Sequence, residues 1–312
     1  MPAIVNVNGR IVAPQDAAIS VFDRGFLYGD SVYEVVRTYR EVPFELEAHL
    51  RRLGASARRI ELELPFDASR LSREVERTLA ASRGGDSEDA EAAPWNAGER
   101  QARIVVTRGS GEMGLDPGLA VDPALVVIAL PLRGPPLRSY REGVSAWPVG
   151  RAGSVLRGGD PAAKTGEHLF HVLAVREARS HGAHEALLLD GTGKVAEGAS
   201  SNVFAVRGDR LVTPPLAAGI LAGVTRGVVL DLCRDLGVPV REEELPLAAL
   251  EEASEAFLTS TVREILPVIR IGARVVGDGR PGKVTERLHA AFRRRADLQA
   301  RGRVYDSGAK ER

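Results

Sequence analysis

Residues 186–206 read ALLLDGTGKVAEGASSNVFAV, and this stretch decides the fold class. Two short apolar runs, 186–189 and 201–206, flank a polar segment rich in glycine, which predicts strands joined by a turn. Further strands are predicted at 238–241 and 256–259. Helical spacing of apolar residues predicts helices at 169–180, 224–236 and 284–295. Helices and strands mixed along the chain predict an α+β (mixed α/β) protein rather than a helical bundle or a β-sandwich.

The first half of the chain extends the same mixture. Residues 4–12 predict a hairpin, because Asn8-Gly9 suits the positive φ angles of a type I′ turn. Residues 32–39 are rich in β-branched and aromatic side chains and predict a strand. Apolar residues at helical spacing predict an amphipathic helix at 46–62 and a weaker one at 71–81. The runs at 104–107 and 124–130 predict buried strands.

The chain has 312 residues, which at about 150 residues per domain suits one large or two medium domains. We predict a small N-terminal α+β domain over 1–132, a connection over 133–142 and a larger C-terminal domain over 143–300. Residues 84–99 are acidic, rich in Gly, Ala and Pro and without periodicity, which predicts a flexible surface insertion. The polar tail, 301–312, is expected to fray.

Composition narrows the function. The 42 Lys and Arg residues balance the 42 Asp and Glu residues, so neither a nucleic acid nor a membrane is an expected partner. Apolar runs fall below the roughly 18 residues of a membrane span, and the N-terminus lacks the pattern of a signal peptide. Cys233 is the single cysteine, which rules out an internal disulfide. These features predict a soluble, cytoplasmic enzyme or binding module.

Two pairs of histidines, His168 with His171 and His181 with His184, have the i, i+3 spacing that could bind a metal. No third ligand is placed near either pair in the sequence. We therefore predict helix-surface histidines and no metal site.

Lys164 lies in a loop of small and turn-forming residues just before a predicted helix. A lysine in such a loop is commonly a solvated charge, but it could instead form a Schiff base in a partly dry pocket. The segment also approaches a phosphate-binding P-loop, Gly158-x4-Ala163-Lys164-Thr165. Ala163 stands where that motif needs its second glycine, which argues against it.

Other segments have the chemistry to bind an anion or a flat ring. Glu197 follows a strand and a turn, and an acidic side chain there could keep a neighbouring pyridine nitrogen protonated. Gly223 precedes a predicted helix whose first turn offers free N–H groups. Three hydroxyl residues follow a strand at 259–261 and could donate to phosphate. Arg52 could add a bidentate contact.

In this order and spacing, the motifs resemble those of the fold-type IV pyridoxal-phosphate enzymes, also called class IV aminotransferases. The resemblance runs from about Asn8 to Phe292. The segments that carry it are FDRG (22–25), YGDSVYE (28–34), HLRRL (49–53), TRG (107–109), Lys164, EGASSNVF (197–204), TPP (213–215), GVTR (223–226) and TSTVREI (259–265).

The resemblance implies a two-domain fold with pyridoxal 5′-phosphate between the domains, and a homodimer in which a neighbouring loop closes the pocket. It implies that Lys164 forms the internal aldimine and moves the proton, that Glu197 faces the pyridine nitrogen and that Leu221 backs the ring. The residues it assigns to the phosphate are Arg52, Val224, Thr225, Ser260 and Thr261. Those it assigns to the substrate are Tyr33, Arg103 and Val262.

The resemblance also has departures. Many relatives carry Asn three residues after the lysine, often followed by Tyr, whereas this chain has Glu167 and His168. His168 could replace that Tyr near the cofactor, and Glu167 could perturb Lys164 or point away.

The reaction expected is transfer of an amino group between an amino acid and a 2-oxo acid. D-amino-acid enzymes place an Arg-x-His pair where this chain has Met113-Gly114-Leu115, and branched-chain enzymes often have Met-Gly there. Branched-chain enzymes also have Tyr-x-Arg where this chain has Gln101-Ala102-Arg103. We therefore favour a branched-chain-like L-amino acid. The alternatives are a D-amino-acid or R-amine transaminase, an aminodeoxychorismate lyase, and a protein that binds the cofactor or a phosphate without turnover.

Overall fold

A computed structural model describes residues 3–83, 92–150 and 162–309, with side chains up to residue 302. Two β-sheets, each covered by helices, organise these residues. Every strand of the first sheet precedes residue 132, and every strand of the second follows residue 143. This order fits the predicted division at 133–142, which stays a prediction.

The first sheet has six strands in the order β2-β1-β8-β5-β3-β4, all paired antiparallel. The elements of this half are β1 (Ile4–Val7), β2 (Arg10–Val12), α1 (Arg24–Tyr28), β3 (Ser31–Tyr39), β4 (Val42–Pro43), α2 (Leu46–Arg59), α3 (Ala68–Ala81), β5 (Arg100–Thr107), β6 (Ser110–Gly111), β7 (Ala120–Val121) and β8 (Leu125–Pro131). Strands β6 and β7 pair separately. Helices α2 and α3 pack on the sheet through fully buried Leu53, Val75 and Ile104.

The second sheet has ten strands and mixes parallel with antiparallel pairs. Its elements are α4 (Leu137–Glu142), β9 (Val144–Gly150), α5 (Leu169–Ser180), β10 (Glu185–Leu189), β11 (Lys194–Gly198), β12 (Asn202–Arg207), β13 (Arg210–Thr213), α6 (Val224–Leu236), β14 (Val240–Glu242), β15 (Leu245–Pro246), α7 (Leu247–Glu251), β16 (Glu255–Ser260), β17 (Glu264–Ile271), β18 (Arg274–Val275) and α8 (Lys283–Ala309). Strand β9 runs parallel to both β10 and β17. Helices α6 and α8 cover β16 and β17.

Local sequence signals place most elements correctly. Asn8 and Gly9 adopt the positive φ angles, 53° and 90°, that the predicted hairpin requires. The predicted helices 169–180 and 224–236 match α5 and α6 residue for residue. None of the helices in the described ranges combines the length and apolar character that a membrane crossing requires.

The predicted surface insertion over 84–99 is corrected in its second part. Residues 84–91 lie outside the described residues. The remainder is packed: a short 3-10 helix spans Pro94–Asn96, Ala93 is 0% exposed and Asn96 is 1% exposed. Asn96 accepts a hydrogen bond from buried Arg37, and Trp95 lies edge-on to Tyr140. These tertiary contacts override a local composition that resembles a loop.

The polar tail is corrected too. Helix α8 continues to Ala309, so residues 301–309 are helical rather than frayed. Ala296 and Ala300 are buried against the sheet and hold the helix in place.

Candidate active site

One cavity of about 1410 Å³ is lined by residues from both halves of the chain. All the residues predicted for the site line it: Tyr33, Arg52, Arg103, Lys164, Glu167, His168, Glu197, Leu221, Val224, Thr225, Ser260, Thr261 and Val262. They are far apart in sequence, so folding brings the whole predicted set together.

Lys164 lies between the two sheets, just before α5. Its backbone N–H donates to Ser56 Oγ (3.0 Å), and its carbonyl accepts from the backbone N–H of Tyr33 (3.0 Å). Its Nζ donates to the Tyr33 hydroxyl at 2.9 Å and lies 4.2 Å from the centre of that ring. These contacts fix both ends of the lysine, so its amine is held at the cavity wall.

Glu197, at the end of β11, is 8% exposed and is held in one orientation. Its Oε2 accepts from the backbone N–H of Leu221 (3.0 Å) and from Asn202 Nδ2 (3.5 Å). Asn202 also donates to the Leu221 carbonyl (3.0 Å). A side chain at Gly198 would put its Cβ 2.2 Å from Ser201 Oγ, so the turn beside the carboxylate needs glycine.

Hydrogen-bond donors for an anion gather where α6 begins. Gly223 provides no side-chain cap for the first N–H groups of that helix, which is the arrangement that binds anions. A Cβ there would lie 2.0 Å from Asn202 Oδ1, so the approach needs glycine. Ser260, the last residue of β16, and Thr261 also line the cavity, and the buried hydroxyl of Thr259 has no partner among the described residues.

Arg52, on α2, is held at the same end by Glu34. Its Nε donates to Glu34 Oε1 (2.6 Å), its Nη2 to Glu34 Oε2 (2.7 Å) and its Nη1 to the Ala222 carbonyl (2.9 Å). Glu34 is fully buried and also lies 2.8 Å from His49 Nδ1. Burial alone would raise the pKa of Glu34, but the charge of Arg52 and the hydrogen bonds from Arg52 and His49 lower it to about 2. Burial lowers the pKa of His49, against the opposing effect of the Glu34 charge.

The other end of the cavity is built around the ring of Tyr33. The guanidinium of Arg103 lies 4.0 Å from the ring centre, and the ring of His168 meets it edge-on at 4.7 Å. Arg103 Nη2 and His168 Nε2 are 3.1 Å apart. Because arginine is always a donor, His168 accepts and is neutral. Burial, followed by the charges of Arg103 and Lys164, lowers the pKa of His168 to about 4. Glu167 packs its Cγ near Gly29.

Another buried carboxylate, Glu264, follows the loop of Ser260 and Thr261 and begins β17. Its backbone has φ 57°, in the left-handed region, and its carboxylate contacts Arg37 (3.0 Å), the Tyr39 hydroxyl (2.7 Å) and His289 (2.7 Å). Burial would raise its pKa, but the hydrogen bond from His289 and the charge of Arg37 lower it to about 2. Arg37 also donates to the carbonyl of Val262 (3.4 Å).

Sequence reasoning gave no role to Glu34, His49, Arg37 or Glu264. The signal for Glu34 was present, because it is a lone carboxylate within the β-branched and aromatic run at 32–39. Charged residues are rarely buried unless they are paired. A glutamate in such a strand therefore indicates a buried partner, but only the fold identifies that partner as Arg52.

The two predicted histidine pairs are not joined by a third metal ligand in the part of the chain that the structure describes. Within the described ranges, no group of three or more His, Cys, Asp or Glu side chains could hold a metal ion. His181 stacks on Trp147 instead, with ring centres 3.7 Å apart. The P-loop alternative depends on residues 158–161, which lie outside the described residues.

Comparison with known proteins identifies the family. The model of the amino-transferase class IV family matches residues 31–271. The chain belongs to the class IV aminotransferases. This aminotransferase is 37% identical over 304 residues to a putative branched-chain-amino-acid aminotransferase from Methanocaldococcus jannaschii, covering 97% of this chain and 99% of the relative. It is 30% identical over 285 residues to the D-alanine aminotransferase of Bacillus licheniformis, covering 91% and 94%.

A solved structure agrees. The branched-chain aminotransferase from the thermophilic archaeon Thermoproteus uzoniensis, solved with norvaline, superposes on this aminotransferase with a TM-score of 0.81 at 33% identity, covering 94% of each chain. Class IV aminotransferases use pyridoxal phosphate. The predicted family, fold class, activity and cofactor are therefore confirmed. The role of each site residue stays a prediction.

Proposed function

We propose that this aminotransferase transfers the amino group of a branched-chain L-amino acid to a 2-oxo acid, with pyridoxal 5′-phosphate held in the cavity. One observation carries the proposal: a fixed lysine, a buried carboxylate and a set of anion-binding donors line the same cavity. The names of the M. jannaschii and T. uzoniensis relatives support the substrate class.

The residues present fit this cofactor. The first N–H groups of α6, the hydroxyls of Ser260 and Thr261 and the guanidinium of Arg52 would hold the phosphate dianion. The buried Thr259 hydroxyl, which has no described partner, marks a place where a polar group is expected. The carboxylate of Glu197 would pair with a protonated ring nitrogen, while Leu221 would cover the ring.

When bound, pyridoxal phosphate supplies a ring system that takes up the electron pair left by removal of the substrate's α-proton. In our proposal the Nζ of Lys164 takes that proton from the α-carbon of the substrate and returns it to C4′ of the cofactor. The hydroxyl of Tyr33 orients Nζ at 2.9 Å. Glu197, fixed by the Leu221 N–H, holds the balancing negative charge in the buried part of the site.

The substrate would lie at the end built around Tyr33. Arg103 offers a cation for a carboxylate, and its contact with neutral His168 leaves it charged. The loss of the Tyr found in Tyr-x-Arg and the presence of His168 make this pocket different from the motif of the branched-chain enzymes. The amino-acid preference is therefore the property that most needs measurement.

The first experiment is the visible absorption of the protein loaded with pyridoxal phosphate, before and after L-leucine, L-valine and D-alanine. We expect a band of lysine-bound cofactor that the L-amino acids bleach, since the amino group leaves the donor for the cofactor. Lys164→Ala should lack the band, and Lys194→Ala, whose lysine pairs with Glu244 at the surface, should keep it.

Other results would change the proposal. Bleaching by D-alanine alone would replace it with D-amino-acid transamination, which the B. licheniformis relative performs by name. A stable band that none of these amino acids bleaches would indicate a lyase, an amine donor of another kind or a protein that binds without turnover. A band that survives Lys164→Ala would contradict the role of Lys164.

We propose that the enzyme works as a homodimer. Helix α1 and the segment after β6 contact each other, since Arg24 donates to the Gly114 carbonyl (2.9 Å) and the Gly114 N–H donates to the Tyr28 hydroxyl (3.1 Å). Both segments expose large apolar side chains, Phe22, Phe26, Met113 and Leu115. Phe26 and Tyr28 also line the cavity, so a second copy there would cover its mouth. Sedimentation analysis tests this, and a monomer at working concentration would contradict it.

We also propose a cytoplasmic location, as the sequence predicts. With a single cysteine, the chain cannot form the internal disulfides that are common in exported proteins. Cell fractionation tests the proposal, and recovery of the protein from a membrane or extracellular fraction would contradict it.

A further inference from the structure

We infer that Glu34, braced by His49, is a positioning residue that sets Arg52 for the phosphate of the cofactor. The inference rests on the proposed function, because it assumes that the phosphate lies beside Arg52. It concerns a side chain that does not line the cavity itself.

The hydrogen bonds of Arg52 define the geometry. A guanidinium has five N–H groups. Glu34 accepts two of them, from Nε and Nη2, and the Ala222 carbonyl accepts one from Nη1. One N–H on each terminal nitrogen remains for a ligand. The side chain is 12% exposed and lines the cavity, so the ligand position is on the cavity side.

The carboxylate of Glu34 is itself fixed. It is fully buried, and His49 lies 2.8 Å from the oxygen that Nη2 of Arg52 also contacts. His49 and Arg52 are three residues apart on α2, so both face the same strand. A bidentate pair to an immobile carboxylate leaves the guanidinium plane one orientation.

The same strand serves the reacting lysine. Neighbouring residues on a strand point to opposite faces. Tyr33 contacts Lys164, while Glu34 contacts Arg52 from the other face of β3. Their backbones pair with Val105 and Ile104 of β5. One step along β3 thus links the lysine to the phosphate arginine.

The alternative is that the Glu34–Arg52 pair only stabilises the small half of the chain. The two interpretations differ in what the phosphate contributes to binding. If Glu34 positions Arg52, its loss should weaken ligands that carry a phosphate and leave those without one unchanged. If the pair is only structural, both ligands should weaken together.

The experiment is a spectral titration of the cofactor-free enzyme with pyridoxal 5′-phosphate and with pyridoxal, which lacks the phosphate. For Glu34→Gln we expect the affinity for pyridoxal phosphate to fall about 10- to 100-fold, as when other residues that orient a binding group are removed. The affinity for pyridoxal should stay within about twofold. Glu74→Gln, a carboxylate that bonds Asn6 and Arg77 elsewhere, is the control and should change neither.

Arg52→Ala and the double variant sharpen the test. If Glu34 acts through Arg52, the loss in the double variant should be smaller than the sum of the two single losses. An equal loss for both ligands in Glu34→Gln, an unchanged affinity, or additive losses would overturn the inference.

Should Glu34→Gln fail to fold by circular dichroism, His49→Gln removes the brace and leaves the charge pair. It should show the same selectivity for the phosphate at a smaller size, about threefold, and equal effects on the two ligands would overturn the inference. A wild-type protein that does not bind pyridoxal phosphate would instead refute the proposed function, and this inference with it.

Discussion

The two ends of the cavity are built differently. At the end proposed for the phosphate, Arg52 is held by the fully buried carboxylate of Glu34. Another buried carboxylate, Glu264, holds Arg37, which donates to the carbonyl of Val262 beside the hydroxyl residues. At the substrate end, Arg103 and His168 are only partly buried and share one contact of 3.1 Å. The cofactor phosphate is the same in every turnover, whereas donor and acceptor differ. A rigid phosphate end and an adjustable substrate end suit that difference.

The largest effect should follow from removing Glu264. Glu264→Ala would leave Arg37, whose side chain is 1% exposed, without its carboxylate partner. An uncompensated buried charge costs about 3–5 kcal/mol of unfolding free energy, which urea denaturation measures. The surface control Glu243→Ala, which removes an exposed pair with Arg210, should cost less than about 1 kcal/mol.

A loss in Glu264→Ala as small as that of the control would break the comparison, because the phosphate end would then not depend on its buried network. Glu264→Gln should fall between the two. It keeps hydrogen bonding to Tyr39 and Arg37 but removes the charge.

This contrast also explains what the sequence could predict. Residues proposed to touch the cofactor, such as Lys164 and Arg52, lie in motifs whose order along the chain is informative, and the structure brings them to one cavity. The buried carboxylates have partners that are distant in sequence: Glu34 holds Arg52, 18 positions away, and Glu264 holds Arg37, 227 positions away. Nothing in local spacing encodes that pairing, so their roles required the fold.

The elements divide in the same way. Apolar periodicity predicts α5 and α6 because this signal is local. The segment containing Asn96 was misjudged because its burial comes from Arg37, far away in the sequence. The helix beyond residue 300 was missed because its anchor, Ala300, packs on a distant part of the large sheet's core.

The next largest effect is the loss of stability at low pH that comes from Glu34 and Glu264. The pKa values of Glu34 and Glu264 are about 2 in the fold, against 4.5 for an ordinary glutamate. Because the folded pKa is lower, the stabilisation is present above about pH 4.5 and is lost as the pH falls toward 2. Each group contributes roughly 3 kcal/mol at neutral pH.

Urea unfolding at a series of pH values measures this dependence. Glu34→Gln and Glu264→Gln should each flatten the fall of unfolding free energy between about pH 5 and 2, whereas Glu243→Gln should not. A slope unchanged in either buried variant would show that its carboxylate is not preferentially ionised in the fold, and the comparison would lose one half of its physical basis.

The smallest effect on stability is expected at the substrate end. His168→Phe keeps an aromatic edge against Tyr33 but removes the acceptor for Arg103. Because this site is partly exposed, the unfolding free energy should change by less than about 1 kcal/mol, and the affinity for pyridoxal phosphate should be unchanged. The KM for the 2-oxo acid should rise severalfold with a smaller change in kcat, since Arg103 would be less well oriented for a carboxylate.

The variant His168→Tyr restores an acceptor for Arg103 and should bring the KM most of the way back to the wild-type value. If His168→Phe instead lowered the unfolding free energy as much as Glu264→Ala, or lowered the affinity for pyridoxal phosphate, the two ends would be equally rigid. The interpretation of an adjustable substrate end would then be wrong. The three hydrogen bonds of Arg52, against one for Arg103, would have no functional meaning.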